Sequence, residues 1–292
     1  MNVVFVIGAA RSGTKFLRDV IGASPYAAVV PYDVNYVWRG GNEGFPDDAL
    51  PAAASAQVRQ RIAAELCRQA KYGAGKSLLI EKTVSNCLRI PFLEQVFPEA
   101  KYIHLLRDGR DVVESAYRMW REKPDWTYLL RKARTFPLAD YRYAAWYLAN
   151  VASRVFRRRS GVRIWGPRYP GIDADLAARP LIEVCARQWA VCVESARRDL
   201  VALPPERVLT VGYEMLVRDL DVVGRIASFA GIHDAAPVLA TYRNTVRRDI
   251  RSGWELLPES ERRAVLEIIS PQLSALGYPN PRDSISGLQR PA

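Results

Sequence analysis

Short apolar runs alternate with stretches of helical periodicity along this chain. β-Branched and aromatic residues form compact runs of strand length, and the first run ends at Gly8. The predicted strands are Asn2–Ile7, Ala27–Pro31, Ser77–Glu81, Lys101–Leu106 and Arg207–Val211.

Apolar residues spaced three or four positions apart predict helices between and after these strands. The predicted helices are Phe16–Ile21, Gln57–Tyr72, Pro91–Phe97, Arg110–Arg121, Tyr141–Arg159 and Leu181–Leu200, with Asp108 as a candidate N-cap. Strands separated by helices favour a parallel sheet covered on both faces, so we predict an α/β protein with a three-layer, P-loop-like architecture. Neither a linker nor an internal repeat divides residues 1–292, which we interpret as a single domain.

The composition is that of a globular protein. Hydrophobic residues make up 49% and charged residues 25% of the 292 residues, and no apolar run approaches the roughly 18 residues that span a bilayer. The apolar stretch Met1–Ala10 lacks a basic leader, so we expect no signal peptide. The four cysteines have neither metal-ligand spacing nor a disulfide framework, which favours a reduced, cytoplasmic protein without a metal site.

An excess of basic residues predicts a negatively charged ligand. Lys and Arg number 42 against 31 Asp and Glu, which gives a formal charge of +11. Nucleic acid, a phosphorylated cofactor and an acidic substrate all fit this charge. The chain has no recognition helix, zinc finger or RNA-binding signature, so we expect no nucleic-acid partner.

The loop after the first strand has the glycine spacing of a phosphate-binding loop. It reads Gly8-Ala9-Ala10-Arg11-Ser12-Gly13-Thr14-Lys15 and opens a helix, so its backbone N–H groups and the helix N-terminus predict an anion site. In the nucleoside-triphosphate motif the last two positions are Lys and a Ser or Thr that ligates magnesium. Thr14 and Lys15 occupy these positions in the opposite order, which argues against ATP or GTP hydrolysis.

A second anion-binding motif follows the fourth predicted strand. The run from Arg107 to Asp111 (Arg-Asp-Gly-Arg-Asp) lies at the carboxyl end of that strand, the edge at which open α/β sheets bind ligands. The Arg107 guanidinium offers forked donors for a phosphate, and Ser115 lies in the first turns of the next helix. A structural ion pair of Arg107 with a nearby Asp is the alternative. Two separated anion sites without a magnesium ligand suggest a ligand with phosphate groups at both ends.

These two motifs closely resemble those of the sulfotransferases that use 3′-phosphoadenosine 5′-phosphosulfate (PAPS). The resemblance implies that the first loop binds the 5′-phosphosulfate and that Arg107 and Ser115 bind the 3′-phosphate. Both motifs look more like those of the tyrosyl-protein and bacterial sulfotransferases than those of the cytosolic small-molecule branch.

Shorter similarities to this family extend over most of the chain. Glu81-Lys82-Thr83 precedes the second motif as it does in family members, and Tyr213-Glu214-Met215-Leu216 resembles a segment whose tyrosine lies near the adenine. Arg251-Ser252-Gly253-Trp254 resembles the segment that closes over the 3′-phosphate. The residues that the resemblance assigns to PAPS binding are Arg11, Ser12, Gly13, Thr14, Lys15, Phe16, Arg107, Ser115, Tyr213, Arg251, Ser252 and Gly253.

Sulfuryl transfer needs positive charge around the transferred group and a base for the acceptor hydroxyl. Without a metal, the candidates for that charge are Arg11, Lys15 and Lys82. Protein-tyrosine sulfotransferases carry a catalytic Glu after the second strand, and Asp33 lies within one residue of the comparable position. We therefore interpret Asp33 as the general base. Glu81 is the alternative base, and Asn35 is a candidate contact for the acceptor.

The sequence leaves the acceptor open. The segments Val34–Arg39, Trp120–Phe136 and Gly161–Gly171 are rich in aromatics and arginine, which fits either an acceptor pocket or core packing under long loops. A glycan, a peptide tyrosine, a lipid and a secondary metabolite are all candidate acceptors. A divergent P-loop kinase or nucleotide hydrolase, and a basic nucleic-acid-binding module, are the alternative functions. The oligomeric state is not indicated.

Overall fold

A parallel sheet organises the computed structural model of the chain, which describes residues 1–51, 53–121, 165–248 and 252–279. The order of the strands is β2-β3-β1-β4-β5, and the four pairings within this sheet are all parallel. The carboxyl ends of the strands therefore meet at one edge. The strands are β1 (Asn2–Ile7), β2 (Ala27–Val29), β3 (Leu78–Glu81), β4 (Lys101–Leu106) and β5 (Val208–Gly212).

Helices in the described segments cover both faces of this sheet. They are α1 (Thr14–Ile21), α2 (Asn35–Arg39), α3 (Ala56–Gln69), α4 (Ile90–Val96), α5 (Gly109–Arg121), α6 (Ile172–Ala178), α7 (Leu181–Leu200), α8 (Tyr213–Arg218), α9 (Leu220–Phe229), α10 (Ala236–Thr245) and α11 (Glu259–Ala275). Short 3₁₀ turns occupy Val84–Leu88, Pro205–Arg207 and Trp254–Leu256. None of the helices described here is both long and apolar enough to cross a membrane.

Two hydrophobic cores lie on opposite faces of the sheet. Successive side chains of a strand point to opposite faces, so Phe5 of β1 joins one core and Val4 joins the other. The Phe5 core is completed by residues of α3, α4, α5, α7 and α11, and the Val4 core by residues of α1, α8, α9 and α10. The three-layer α/β prediction is therefore confirmed.

The predicted element bounds agree closely with the structure. β1, β4 and α7 have the predicted limits, and β5 lies one residue later than predicted. β2 ends at Val29, although the Val30 amide still donates to the Ile80 carbonyl at 3.0 Å. Asp108 caps α5 as expected, because its carboxylate accepts a hydrogen bond from the Arg110 amide at 2.9 Å. The helix predicted at Tyr141–Arg159 lies outside the described residues.

Candidate functional site

The first loop makes a tight turn between β1 and α1. A Cβ atom on Gly8 would lie 2.6 Å from the carbonyl oxygen of Leu105 in β4. Gly13 has a φ of +91°, and a Cβ atom there would lie 2.5 Å from the ring of Tyr213. Both glycines therefore let the loop backbone pack closely against neighbouring elements at the carboxyl edge of the sheet.

The side chains of this loop and of the start of α1 point in different directions. Ser12 and Thr14 are buried, and the rings of Phe16 and Tyr242 lie with their centroids 6.0 Å apart. Lys15 is 75% exposed, and its ammonium group pairs with Asp19, one turn further along α1, at 2.9 Å. The structure therefore groups Ser12 and Thr14 with the turn and places Lys15 on the outer surface.

The two predicted anion motifs adjoin each other. Arg11 Nε donates a hydrogen bond to Ser115 Oγ at 2.9 Å, and Arg107 Nη1 donates to the Arg11 carbonyl oxygen at 3.2 Å. The two motifs are adjacent because β1 and β4 are neighbours in the sheet and their loops touch. Arg11 thereby links the first loop to the second motif.

Arg107 lies over an aromatic ring and keeps an unused donor. Its guanidinium carbon is 4.5 Å from the centroid of the Tyr213 ring, and Nη2 donates to Asp111 at 3.4 Å. The Nε atom is buried and has no hydrogen-bond partner among the described residues. Burial raises the pKa of Tyr213, although the Arg107 charge opposes this shift. A stacked, partly unpaired guanidinium of this kind is suited to binding an anion.

The segment that starts at Ser252 contacts the second motif. Ser252 Oγ donates a hydrogen bond to Asp111, the same carboxylate that Arg107 contacts. A Cβ atom on Gly253 would lie 2.6 Å from the carboxylate of Glu114 in α5. Ser252 and Gly253 therefore lie against α5 beside the second motif, whereas Arg251 lies outside the described residues.

Glu214 is a residue of this region that the sequence interpretation assigned no role. Its carboxylate accepts one hydrogen bond from the Asp108 amide at 3.1 Å and another from the Tyr278 hydroxyl at 3.0 Å. Burial and the Glu214 charge both raise the pKa of Tyr278. Glu214 thus joins β5, the β4 loop and the C-terminal segment at the predicted anion site.

The loops after β2 and β3 carry a pair of opposite charges. Lys82 Nζ donates to both carboxylate oxygens of Asp33 at 3.0 Å, and the Val84 amide donates to Asp33 Oδ1 at 3.0 Å. The side chain of Asp33 is 31% exposed, whereas that of Lys82 is 7% exposed. The structure therefore brings together the predicted base and one predicted cation, with the carboxylate on the solvent side.

Glu81 lies inside the protein and cannot contact an acceptor. Its fully buried carboxylate accepts hydrogen bonds from Trp38 Nε1 at 3.3 Å, from Thr83 Oγ1 and from Asn86 Nδ2 at 2.6 Å. Burial raises the pKa of Glu81 to about 7, although hydrogen bonds from Thr83 and Trp38 lower it. The interpretation of Glu81 as the alternative base is therefore wrong, because its side chain is enclosed in the core.

The predicted acceptor lining is core at Val34–Arg39 and Trp120, whereas most of residues 165–171 are not buried. In Val34–Arg39 only Asn35 is not buried, and its Nδ2 atom donates to Asp48 at 2.9 Å. Trp120 is also buried. Residues 122–136 and 161–164 of the other two predicted lining segments lie outside the described residues.

Two buried charged residues next to these loops, Asp48 and Arg89, were missed by the sequence interpretation. A third, the buried Arg39, lies in the predicted lining segment Val34–Arg39. Burial lowers the pKa of Arg89 to about 10, and its Nη1 atom has no partner among the described residues. Within the described ranges, no cluster of three or more His, Cys, Asp or Glu side chains could hold a metal ion.

The chain has a P-loop-like α/β fold whose candidate anion site lies at the carboxyl edge of a parallel sheet. A family model described as "Sulfotransferase family" matches residues 3–163, which is more than half of the chain and includes both anion motifs. The chain belongs to the sulfotransferase family.

Curated relatives match a shorter segment. The chain is 27% identical over 127 residues to a putative protein-tyrosine sulfotransferase of Caenorhabditis briggsae and 29% identical over 131 residues to protein-tyrosine sulfotransferase 1 of Danio rerio. Each match covers 39% of this chain, and 42% and 35% of the respective relatives. The match therefore spans less than half of the length of these relatives.

Solved structures share the fold over almost the whole chain. Sulfotransferase STF9 from Mycobacterium avium superimposes with a TM-score of 0.56 at 15% identity, over 94% of this chain and 77% of that one. The sulfotransferase domain of the Synechococcus PCC 7002 olefin synthase gives a TM-score of 0.51 at 19% identity, over 96% of both chains. The similarity at these identities establishes a common architecture.

Proposed function

We propose that this protein transfers the sulfuryl group of PAPS to a hydroxyl group of an acceptor without a metal ion. The observation that carries the proposal is the ion pair of Asp33 and Lys82 on the same sheet edge as the first loop and Arg107. Membership of the sulfotransferase family and the similarity to protein-tyrosine sulfotransferases support it. The cytoplasmic location stays a prediction.

The residues at the sheet edge fit a ligand with anionic groups. The turn at Gly13 presents backbone N–H groups at the start of α1, and Arg107 has a buried, unpaired Nε donor. Arg107, Ser115 and Ser252 would hold the 3′-phosphate, and the first loop would hold the 5′-phosphosulfate. PAPS supplies the activated sulfuryl group when it is bound.

Asp33 and Lys82 supply the chemistry at the acceptor side. The partly exposed Asp33 carboxylate removes the proton from the acceptor hydroxyl, and the Val84 amide keeps that carboxylate oriented. Lys82 provides positive charge close to the base, where charge develops during transfer. The order Thr14-Lys15 leaves no hydroxyl at the magnesium position of the loop, which favours transfer without a metal over a kinase or nucleotide hydrolase.

Substitution of Asp33 tests this assignment. We expect Asp33→Asn to bind adenosine 3′,5′-bisphosphate (PAP) like the parent protein and to transfer sulfate about 100-fold more slowly, because the amide cannot accept the proton. Titration calorimetry in EDTA measures binding, and ³⁵S-labelled PAPS with a cell extract measures transfer and identifies the acceptor. Asp234→Asn is the matched control, because Asp234 caps the Ala236 amide on the surface. Undiminished transfer by Asp33→Asn would assign the base to another residue.

A ligand panel tests the function class. We expect PAPS and PAP to raise the melting temperature in EDTA, whereas ATP with magnesium and an oligonucleotide leave it unchanged. Stabilisation by ATP only with magnesium would favour a kinase or nucleotide hydrolase. Stabilisation by the oligonucleotide that weakens steeply with salt would favour a nucleic-acid-binding module.

A further inference from the structure

A buried carboxylate connects the segments around the Asp33–Lys82 pair. Asp48 lies in the loop between α2 and α3 and is 1% exposed. Its Oδ1 atom accepts a hydrogen bond from Asn35 Nδ2 at 2.9 Å. Its Oδ2 atom accepts hydrogen bonds from Ser85 Oγ at 2.7 Å and from the Arg168 amide at 2.8 Å. One side chain therefore binds three segments that are distant in sequence.

Each of these partners lies next to a functional element. Asn35 is two residues after Asp33, and Ser85 is three residues after Lys82. Arg168 belongs to the segment Gly161–Gly171, which the sequence predicted as acceptor lining. The Asp48 amide also donates to the Arg168 carbonyl at 2.8 Å, so Arg168 is held by both the backbone and the side chain of Asp48.

A second set of hydrogen bonds connects the loops after β2 and β3 closer to Asp33. The Val34 amide donates to Thr83 Oγ1 at 3.0 Å, and the Val84 amide donates to Asp33 Oδ1 at 3.0 Å. The positions of Asp33 and Lys82 thus depend on how these loops are held together, since neither residue lies within a strand.

The charge of Asp48 is stabilised at this position. Burial alone raises the pKa of Asp48, but the Arg89 charge and the hydrogen bonds from Arg168, Asn35 and Ser85 outweigh it, so its pKa lies below the ordinary value. Arg39 Nη1 also lies 3.4 Å from Oδ1. An ionised carboxylate can accept all of these donors at once, whereas an amide in its place presents two donors of its own.

We propose that Asp48 is a positioning residue that aligns the general base, its lysine partner and the acceptor-side loop. The proposal rests on the proposed function, and it goes beyond that function by assigning a role to a residue that does not touch the reacting atoms. Small displacements of catalytic groups are costly, because a shift of about 1 Å can reduce the rate of a reaction about 100-fold. The opposing explanation is that Asp48 only neutralises the buried Arg39 and Arg89, in which case its loss would lower stability throughout the protein.

Hydrogen exchange of individual amides tests this proposal without an acceptor. We expect Asp48→Asn to accelerate exchange of the Val34 and Val84 amides at least about tenfold, because their loops separate, and to leave the Leu17 amide of α1 unchanged. Ser85→Ala removes only the hydrogen bond from Ser85 to Asp48 and keeps the Asp48 charge. It should accelerate exchange of the Val84 amide more than that of the Val34 amide. Asp47→Asn is the matched control, because Asp47 accepts only from the nearby Ala49 amide through its side chain.

Kinetics provide the second measurement. With PAPS and 4-nitrophenol as the probe acceptor, Asp48→Asn should lower kcat about 100-fold at an unchanged KM for PAPS and an unchanged Kd for PAP. Unchanged exchange of Val34 and Val84, or equal acceleration of Leu17, would overturn the proposal, and so would weaker PAP binding in proportion to the loss of kcat. If the parent protein binds no PAP, the proposed function fails, while the exchange experiment still decides whether Asp48 holds the two loops.

Discussion

Glu81 and Lys82 are consecutive residues with opposite surroundings. Glu81 ends β3 and points into the core, where Trp38 and Asn86 donate to it, whereas Lys82 pairs with the partly exposed Asp33. Lys82 lies just after the last residue of β3, at the carboxyl edge of the sheet, where it contacts Asp33. Glu81 is therefore enclosed by core residues, whereas Lys82 lies in the candidate site with Asp33.

Replacing Glu81 with glutamine should change how stability depends on pH. The folded protein raises the pKa of Glu81 to about 7, so between about pH 4.5 and 7 the folded state holds a proton that the unfolded state has lost. The stability contributed by this carboxyl is therefore present at low pH and decreases as the pH rises through this window. We expect the free energy of unfolding of the parent protein, relative to Glu81→Gln, to fall by up to about 3 kcal/mol from pH 4.5 to 8. Urea denaturation of both proteins at several pH values measures this difference, and a constant difference would contradict the assignment.

The sequence predicted candidate residues that directly follow strands, and it missed residues whose hydrogen-bond partners are distant in sequence. Asp33, Lys82 and Arg107 could be predicted because the carboxyl edge of a parallel sheet collects such residues. Asp48 could not, because its partners lie between 13 and 120 residues away and nothing in its own segment indicates them. The contact of Arg11 with Ser115 depends in the same way on the pairing of β1 with β4.

At the scale of the elements, the geometry of the first loop depends on glycine. Gly13 combines a left-handed φ of +91° with the Tyr213 ring at the position of an absent Cβ atom. Gly75 has a similar φ of +81°, but a Cβ atom there would meet nothing within 4 Å. A comparison of Gly13 with Gly75 therefore separates the free-energy cost of a left-handed backbone from the cost of a steric clash with a neighbouring ring.

Alanine at these two positions should therefore have unequal effects. Gly75→Ala should lower the free energy of unfolding by about 1–2 kcal/mol, which is the strain of a left-handed residue. Gly13→Ala should lower it further and weaken PAP binding, because the Tyr213 ring must move away from Arg107. Denaturant titration and calorimetry on both variants measure these effects. Equal losses of stability with unchanged PAP binding would show that Tyr213 is not held by this loop.

α2 is an element that the sequence patterns missed, and it is short and stabilised by packing. α2 contains Tyr36, Val37 and Trp38, whose intrinsic helix propensity is low. The Trp38 ring instead lies 5.8 Å from Phe5 and 6.5 Å from Phe92 between ring centroids, and these contacts hold the five residues in a helix. The long strands and α7 were predictable because their apolar residues repeat over more positions.

At the scale of the whole molecule, nucleotide binding should be visible as stability. PAP at 100 times its dissociation constant should raise the free energy of unfolding by about 2.7 kcal/mol, because it binds only the folded protein. Arg107→Ala should weaken PAP binding by about 1.5–3 kcal/mol and reduce that stabilisation to about 0.3–1.3 kcal/mol at the same concentration. Arg225→Ala is the control, since Arg225 is exposed on α9. If PAP stabilises Arg107→Ala as much as the parent protein, Arg107 does not bind the nucleotide.

The hydrogen bonds of Glu214 and Ser252 join parts of the chain that are far apart. Glu214 reaches Asp108 across 106 residues, and Ser252 reaches Asp111 across 141. Contacts between such distant residues are slow to form during folding, because large loops must close first. The protein is therefore expected to acquire affinity for the nucleotide late in refolding, after the neighbouring strands have paired. Nucleotide binding during refolding would then indicate that α11 has docked.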